Sequence, residues 1–475
     1  MVDKSPRVFL FLLMALAQTG CDQTDFEPDV PLVLDQLTVS GTKTSLNPTF
    51  DPDITRYSVI ASDDAQALGV TASANEALTI SIDGSIVVSD TPFLMSSVAP
   101  GDSITVTIDG RVQSASYEIV YLPADFPELK VTVLEQGAST DPLYVNMNGP
   151  TTNYIAVLDN HGVPTFYRGD QERMVDFKWH PATGERSYAQ LTGEFNEWGR
   201  RDAEHVVLDA NFEEIERFTT VDLTHTDLHD LQILDNNELV MVSYDGSLRD
   251  MTAFGLSGQE VIEDSVIQIV DRLSKQVLFE WNSWGLVPFE DQTYPEVDGE
   301  YAHINSIIED TDGNLIGSFR GTSQVVKISR PGGQVMWKFG GRTNQFEFIN
   351  DPYSHLCGQH TASRLANGNI LIFDNGEYCW PIRPERGQKT RVVEYAIDEQ
   401  AMTAELVWSY EPDGIYSRFA GSAQRQPNGN TLMGWGGIND VLATEVTMNG
   451  NTVFELTAFH GDTTVVGYRA LRFPE

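Results

Sequence analysis

The stretch Cys357-Gly-Gln-His360-Thr-Ala-Ser-Arg-Leu-Ala-Asn367-Gly368-Asn-Ile-Leu-Ile-Phe-Asp-Asn375-Gly376 decides the fold. It reads as a polar strand, a tight turn at Asn367-Gly368, and a β-rich apolar strand. The same grammar returns from His229 to Met241, from His303 to Ile316 and from Gly421 to Met433. Three of the four copies begin with histidine, which periodic folding alone does not require.

Working outward, each copy is followed by a third strand (Val325–Ser329, Arg391–Ile397, Thr444–Met448). A fourth then closes on an aromatic residue (Trp337, Trp408, Phe454). Four strands at recurring spacing is the signature of a β-propeller blade. The intervals His229 to His303, His303 to His360 and His360 to Gly421 are 74, 57 and 61 residues, so the blades carry long loops. Two further units fit at 143–172 and 174–222, and the terminal strand at 464–473 would close the ring. The expected class is all-β: a six-bladed propeller over 135–475, preceded by a small β-sandwich over 32–123. The start of that module, from Leu46-Asn-Pro-Thr-Phe50 to Tyr57, resembles cadherin-like β-sandwich modules of bacterial surface proteins.

The chain has 475 residues, 41% of them apolar, enough for more than one core. Its formal charge of −39 argues against nucleic acid and anionic membrane surfaces as partners. An anionic substrate would therefore need a local cationic site. Residues 1–21 read as an export signal, with Lys4 and Arg7 before the apolar run from Val8 to Ala17. Cleavage after Ala15-Leu16-Ala17 competes with a lipoprotein reading at Thr19-Gly20-Cys21, and only the latter accounts for the lone Cys21. Residues 22–31 then tether an exported, periplasmic or cell-surface protein to lipid. Cys357 and Cys379 remain, and an oxidising compartment makes their disulfide the default.

In a propeller the innermost strand of every blade lines the central channel. Residues opening those strands face one another, however far apart in sequence. His229, His303 and His360 hold that place. The second strand returns to the same mouth, bringing Arg320 and Asp374-Asn375, while Asn305 shares the face of His303 by the period of two. Long loops over this mouth carry Trp284, Phe346, Phe348 and Tyr353, which could hold a ring. One such histidine alone would be a structural hydrogen-bonding residue, and three together could be a zinc site. Arg320 disfavours a cation and no supporting carboxylate is evident, so neither metal nor cofactor is expected. His161, His180 and His205 read as surface residues, and Asp310-Thr-Asp-Gly-Asn314 as a turn.

Together His229-Asp, His303-Ile-Asn305-Ser, Ser318-Phe-Arg320, Gln359-His360-Thr-Ala, Phe373-Asp-Asn-Gly and Gly421-Ser-Ala-Gln resemble bacterial aryl-sulfate sulfotransferases over roughly 140–475. That resemblance implies a six-bladed propeller moving a sulfuryl group from a phenolic sulfate ester to a phenolic acceptor. It implies a sulfohistidine intermediate and no nucleotide donor. Carried over by motif, His360 is the nucleophile, and His229, His303, Asn305 and Arg320 hold the sulfuryl oxygens. The residues by themselves also admit a non-catalytic surface propeller that binds an anionic or aromatic ligand.

Overall fold

The computed structural model describes residues 31–474 apart from 64–66, 194–200, 257, 294–299, 378–386, 439–440 and 462. The export signal, Cys21 and Cys379 thus lie outside the described residues. The described chain is all-β, with three single-turn 3-10 segments as its only helices.

Near the N-terminus two sheets share one core. Leu34–Ser40, Leu68–Ala74 and Phe93–Met95 form the first. Arg56–Ile60, Ser114–Leu122, Ser103–Asp109, Thr79–Ile82 and Ser85–Val87 form the second. Leu37, Val70, Tyr57, Ile104 and Ile119 are packed between them. Leu68–Ala74 escapes sequence reading because its Gly and Ala residues carry little strand preference.

Six further sheets, here I to VI in chain order, are each built on four antiparallel strands. Sheet I contains Leu143–Asn148, Asn153–Leu158 and Pro164–Asp170. Sheet II runs from Met174–His180 to Glu214–Phe218, and sheet III from Leu231–Ile233 to Val277–Asn282. Sheet IV spans Ile304–Glu309 to Val335–Gly340, sheet V His360–Arg364 to Thr403–Tyr410, and sheet VI Ser422–Arg425 to Thr452–His460. Sheet I takes its fourth strand from the far end of the chain, where Ala470–Arg472 pairs with Leu143–Val145. The buried Arg472 side chain fixes that joint, donating to Asn160 Oδ1 at 2.9 Å beneath the Phe454 ring.

The opening stretch folds as read. His360–Arg364 and Ile370–Asp374 pair antiparallel around Gly368, whose φ of 87° and N–H to Leu365 carbonyl bond make the turn. One segment differs. The stretch left unassigned between the two expected units contains a strand, Glu128–Leu134, paired with Thr452–His460 at the edge of sheet VI. Its Glu-Leu-Lys-Val-Thr-Val-Leu alternation suits a half-buried edge. Arg56 adds a tie across the same junction, to Asp159 at 3.2 Å and the Pro164 carbonyl at 3.1 Å.

Candidate active site

Three connections bring the histidines together. His360 opens its strand in sheet V, whereas His303 stands one residue before Ile304–Glu309 and His229 two before Leu231–Ile233. The His229 and His303 rings lie 5.1 Å apart. Arg320 begins a 3-10 turn after Leu315–Phe319, and its N–H donates to the His303 carbonyl at 2.8 Å. All four side chains line one cavity of about 780 Å³. Tyr468 and Phe419 supply its aromatic wall, and Arg173 and Arg418 also reach it.

Each imidazole is held by its Nδ1. His229 Nδ1 meets Asp227 Oδ1 at 2.5 Å, and His303 Nδ1 bonds Glu300. These carboxylates correct the expectation that none supports the cluster, and they turn the two Nε2 atoms away from the acids. His360 Nδ1 lies 2.8 Å from Asn375 Oδ1. The Asn375 amide nitrogen already donates to the Ser417 and Ala420 carbonyls, each at 2.9 Å, so its oxygen accepts from His360. The proton therefore sits on Nδ1, and the Nε2 lone pair accepts the Ala420 N–H at 3.0 Å. Ala420 is in the left-handed region at φ 58°, and Gly436 makes that possible: a Cβ there would stand 2.4 Å from Ala420 Cβ.

Burial, reinforced by the Arg320 charge, holds the His360 pKa well below the ordinary imidazole value. His360 is thus neutral, the form with a free electron pair, through neutral and mildly acidic pH.

Several sequence expectations need correction. Asn305 is fully buried, but its amide donates to the Gln359 carbonyl at 2.8 Å and it does not line the cavity. It supports the peptide before His360 instead of facing a ligand. None of the four rim aromatics lines the cavity. Phe346 packs edge-on to Trp337 and Phe339, Phe348 packs on Phe339, and Trp284 lies under Arg249 and beside Tyr301. Tyr353 lies against the Arg391 guanidinium and bonds Glu411. Their segments fold down onto their own sheets, as Glu347–Ile349 does by pairing with Thr403–Glu405. Asp374 is likewise structural, accepting from Cys357 N–H and Arg391 Nε, each at 2.9 Å. Sequence reading missed Tyr468, Ala420, Arg173 and Arg418 as cavity residues.

His180 and His205 are buried, not on the surface. Burial lowers both pKa values, that of His205 from 6.5 to about 4. An unfolded chain binds protons at these sites before the native one does, so stability falls as pH drops through 6.5 towards the native values. For His205 alone the gap from 6.5 to about 4 corresponds to on the order of 3 kcal/mol. A melting temperature that stays flat from pH 7 to 4 would contradict this assignment.

A family model described as arylsulfotransferase (ASST) matches residues 135–469. The chain belongs to the arylsulfotransferase family. Its relatives include an arylsulfate sulfotransferase AssT of Escherichia coli, 29% identical over 181 residues, which are 32% of this chain and 30% of that protein. Another AssT, from Lelliottia amnigena, is 32% identical over 93 residues, 18% of this chain and 16% of its own. The alignments thus span under a third of these relatives' lengths. Among solved structures, a periplasmic gluconolactonase of Pseudomonas aeruginosa superposes with a TM-score of 0.39 at 11% identity, covering 70% of this chain and all of that one. That likeness carries no weight for the chemistry. In this arylsulfotransferase family chain, the family's matched segment contains every residue of the cavity described above.

Proposed function

We propose that sheets I to VI are the blades of one six-bladed propeller, and that the cavity on its axis transfers sulfuryl groups between phenols. The carrying observation is the convergence of three histidines and Arg320 in one cavity whose walls include no Asp or Glu among the described residues. In a chain of charge −39 such a pocket selects anions.

The sulfur of a bound aryl sulfate would face His360 Nε2. Its lone pair attacks, the S–O bond to the ring breaks, and the electron pair leaves on the phenolate oxygen. His229 or His303, acting as the imidazolium whose Nδ1–H is held by Asp227 or Glu300, gives its Nε2 proton to that oxygen and is left neutral. The acceptor hydroxyl then gives its proton to the same imidazole and attacks sulfur, and the N–S bond returns its pair to His360. Arg320 faces the equatorial oxygens, where preorganised donors matter most. Attack first requires Nε2 to release the Ala420 N–H, at a net cost of about 1 kcal/mol. The freed N–H then points at a sulfuryl oxygen. Asn305 contributes by positioning, through Gln359.

Turnover of a chromogenic phenyl sulfate with added phenol tests the reading, and a purified protein inert towards every such pair refutes it. Arg320→Lys should lower kcat/KM about 100-fold although charge is kept, because an ammonium cannot reproduce the guanidinium fork. Rates near wild type in that variant would remove Arg320 from the oxyanion site.

The remaining expectations stand as proposals beside it. Cys357 is buried and its carbonyl accepts from Gly376 N–H at 3.0 Å, close in sequence to Cys379, which supports pairing of the two cysteines. The two-sheet N-terminal unit supports the sandwich reading, with export and lipidation at Cys21 placing the enzyme outside the cytoplasm.

A further inference from the structure

Arg320 and three imidazoles already account for one sulfuryl group, yet the same cavity has two more cations. Arg173 immediately precedes Met174–His180 in sheet II, and its carbonyl accepts Leu191 N–H at 2.9 Å, which fixes its backbone. Its side chain is exposed, and no ion pair engages it among the described residues. Arg418 also lines the cavity, from the segment before sheet VI. That segment is clamped: Asn375 bonds the carbonyls on either side of it, at Ser417 and Ala420, and Ser417 Oγ donates to the Gly436 carbonyl at 2.5 Å. Arg418 Nε donates to Glu377 at 3.1 Å, while 55% of the side chain remains open to solvent. The chain has only 30 basic residues against 69 acidic ones, so three arginines on one cavity without a lining carboxylate is a concentrated feature.

We propose that the substrates are phenols and phenyl sulfates carrying a second anionic substituent, which Arg173 and Arg418 receive while the sulfuryl end meets Arg320 and His360. The inference rests on the sulfotransferase reading above and narrows its substrate class. A neutral ring would need only the apolar wall of Leu191, Val466, Phe419 and Tyr468. The two outer arginines give a guanidinium fork for a carboxylate, sulfonate or phosphate at the opposite end of the ring. Exposure makes each contact modest, so the discrimination is a sum of two.

The test keeps a donor without a second anionic substituent, 4-nitrophenyl sulfate, and compares two acceptors, 4-hydroxyphenylacetate and its methyl ester. Wild type should favour the carboxylate by about tenfold in kcat/KM, mainly through KM, with the preference shrinking as salt rises. In Arg173→Gln/Arg418→Gln the ratio should fall towards one. Arg173→Gln alone, whose side chain holds nothing in place, should lower it about threefold if losing Glu377's partner spoils the double variant. Equal use of the two acceptors by wild type, or a preference that survives the substitutions, overturns the inference while leaving sulfuryl transfer intact. No turnover with either acceptor overturns the transfer reading and this inference with it.

Discussion

His360→Asn is expected to abolish sulfuryl transfer, lowering kcat by about 10⁴-fold or more, as when a covalent nucleophile is removed. The fold should survive but not unchanged. His360 is buried, with Asn375 on one nitrogen and Ala420 on the other, so the substitution leaves polar groups without their partners. A loss of about 1–3 kcal/mol follows, visible as a lower melting temperature with cooperative unfolding retained. His229→Ala and His303→Ala should cost less, about 10²–10³-fold each, since each removes a donor and not the attacking atom. The decisive measurement is peptide mass spectrometry of enzyme mixed with donor, given no acceptor, and quenched in base to protect the N–S bond. A sulfuryl adduct on the His360 peptide is the expected result. An adduct elsewhere, or an active His360→Asn, would end the nucleophile assignment.

The histidine convergence was legible because strand–turn–strand repeats nearly keep their phase: each copy places its histidine at the start of its first strand or within two residues before it. Paired strands obey that regardless of the intervening loop length. Loops obey no such rule, and there the reading failed. An aromatic residue on a connection can hang over a cavity or be packed away among the sheets, and Phe346 and Phe348 do the latter against Phe339 of sheet IV. Asp227 and Glu300 could have been found, standing two and three residues before their histidines. Tyr468 lies in the chain's last segment, the 464–473 stretch expected to close the ring, but no local pattern marks it as a cavity residue, since its place is set by a bond to Asn146, 322 residues away. His180 was misread for a related reason: part of what covers it comes from a neighbouring sheet. His180 Nδ1 accepts the Ile233 N–H from sheet III at 3.4 Å.

That last segment also carries the residue whose loss should cost most stability. Arg469 is buried beside Tyr468, bonding Asp176 at 2.6 Å and the Asn305 carbonyl at 2.8 Å. Lys178 bonds Asp176 at 2.7 Å and also pairs with Asp230, giving two cations and two carboxylates away from water. Against the opposing effect of burial, Lys178 and Arg469 hold Asp230 down at a pKa of about 2, whereas burial leaves that of Asp176 raised. Arg469→Met removes one cation from a balanced set and should destabilise by about 3–5 kcal/mol at neutral pH. The arithmetic predicts its own remedy. Adding Asp176→Asn removes the surplus negative charge, so the double variant should be more stable than the sum of the two singles by about 1–3 kcal/mol. Lowering pH should have the same effect on the single variant, because protonating Asp176 restores neutrality without a second substitution. Urea midpoints at two pH values measure both terms. Strict additivity at both would mean that Arg469 holds the terminal segment through packing and its bond to Asn305, and that the four buried charges do not act as one group.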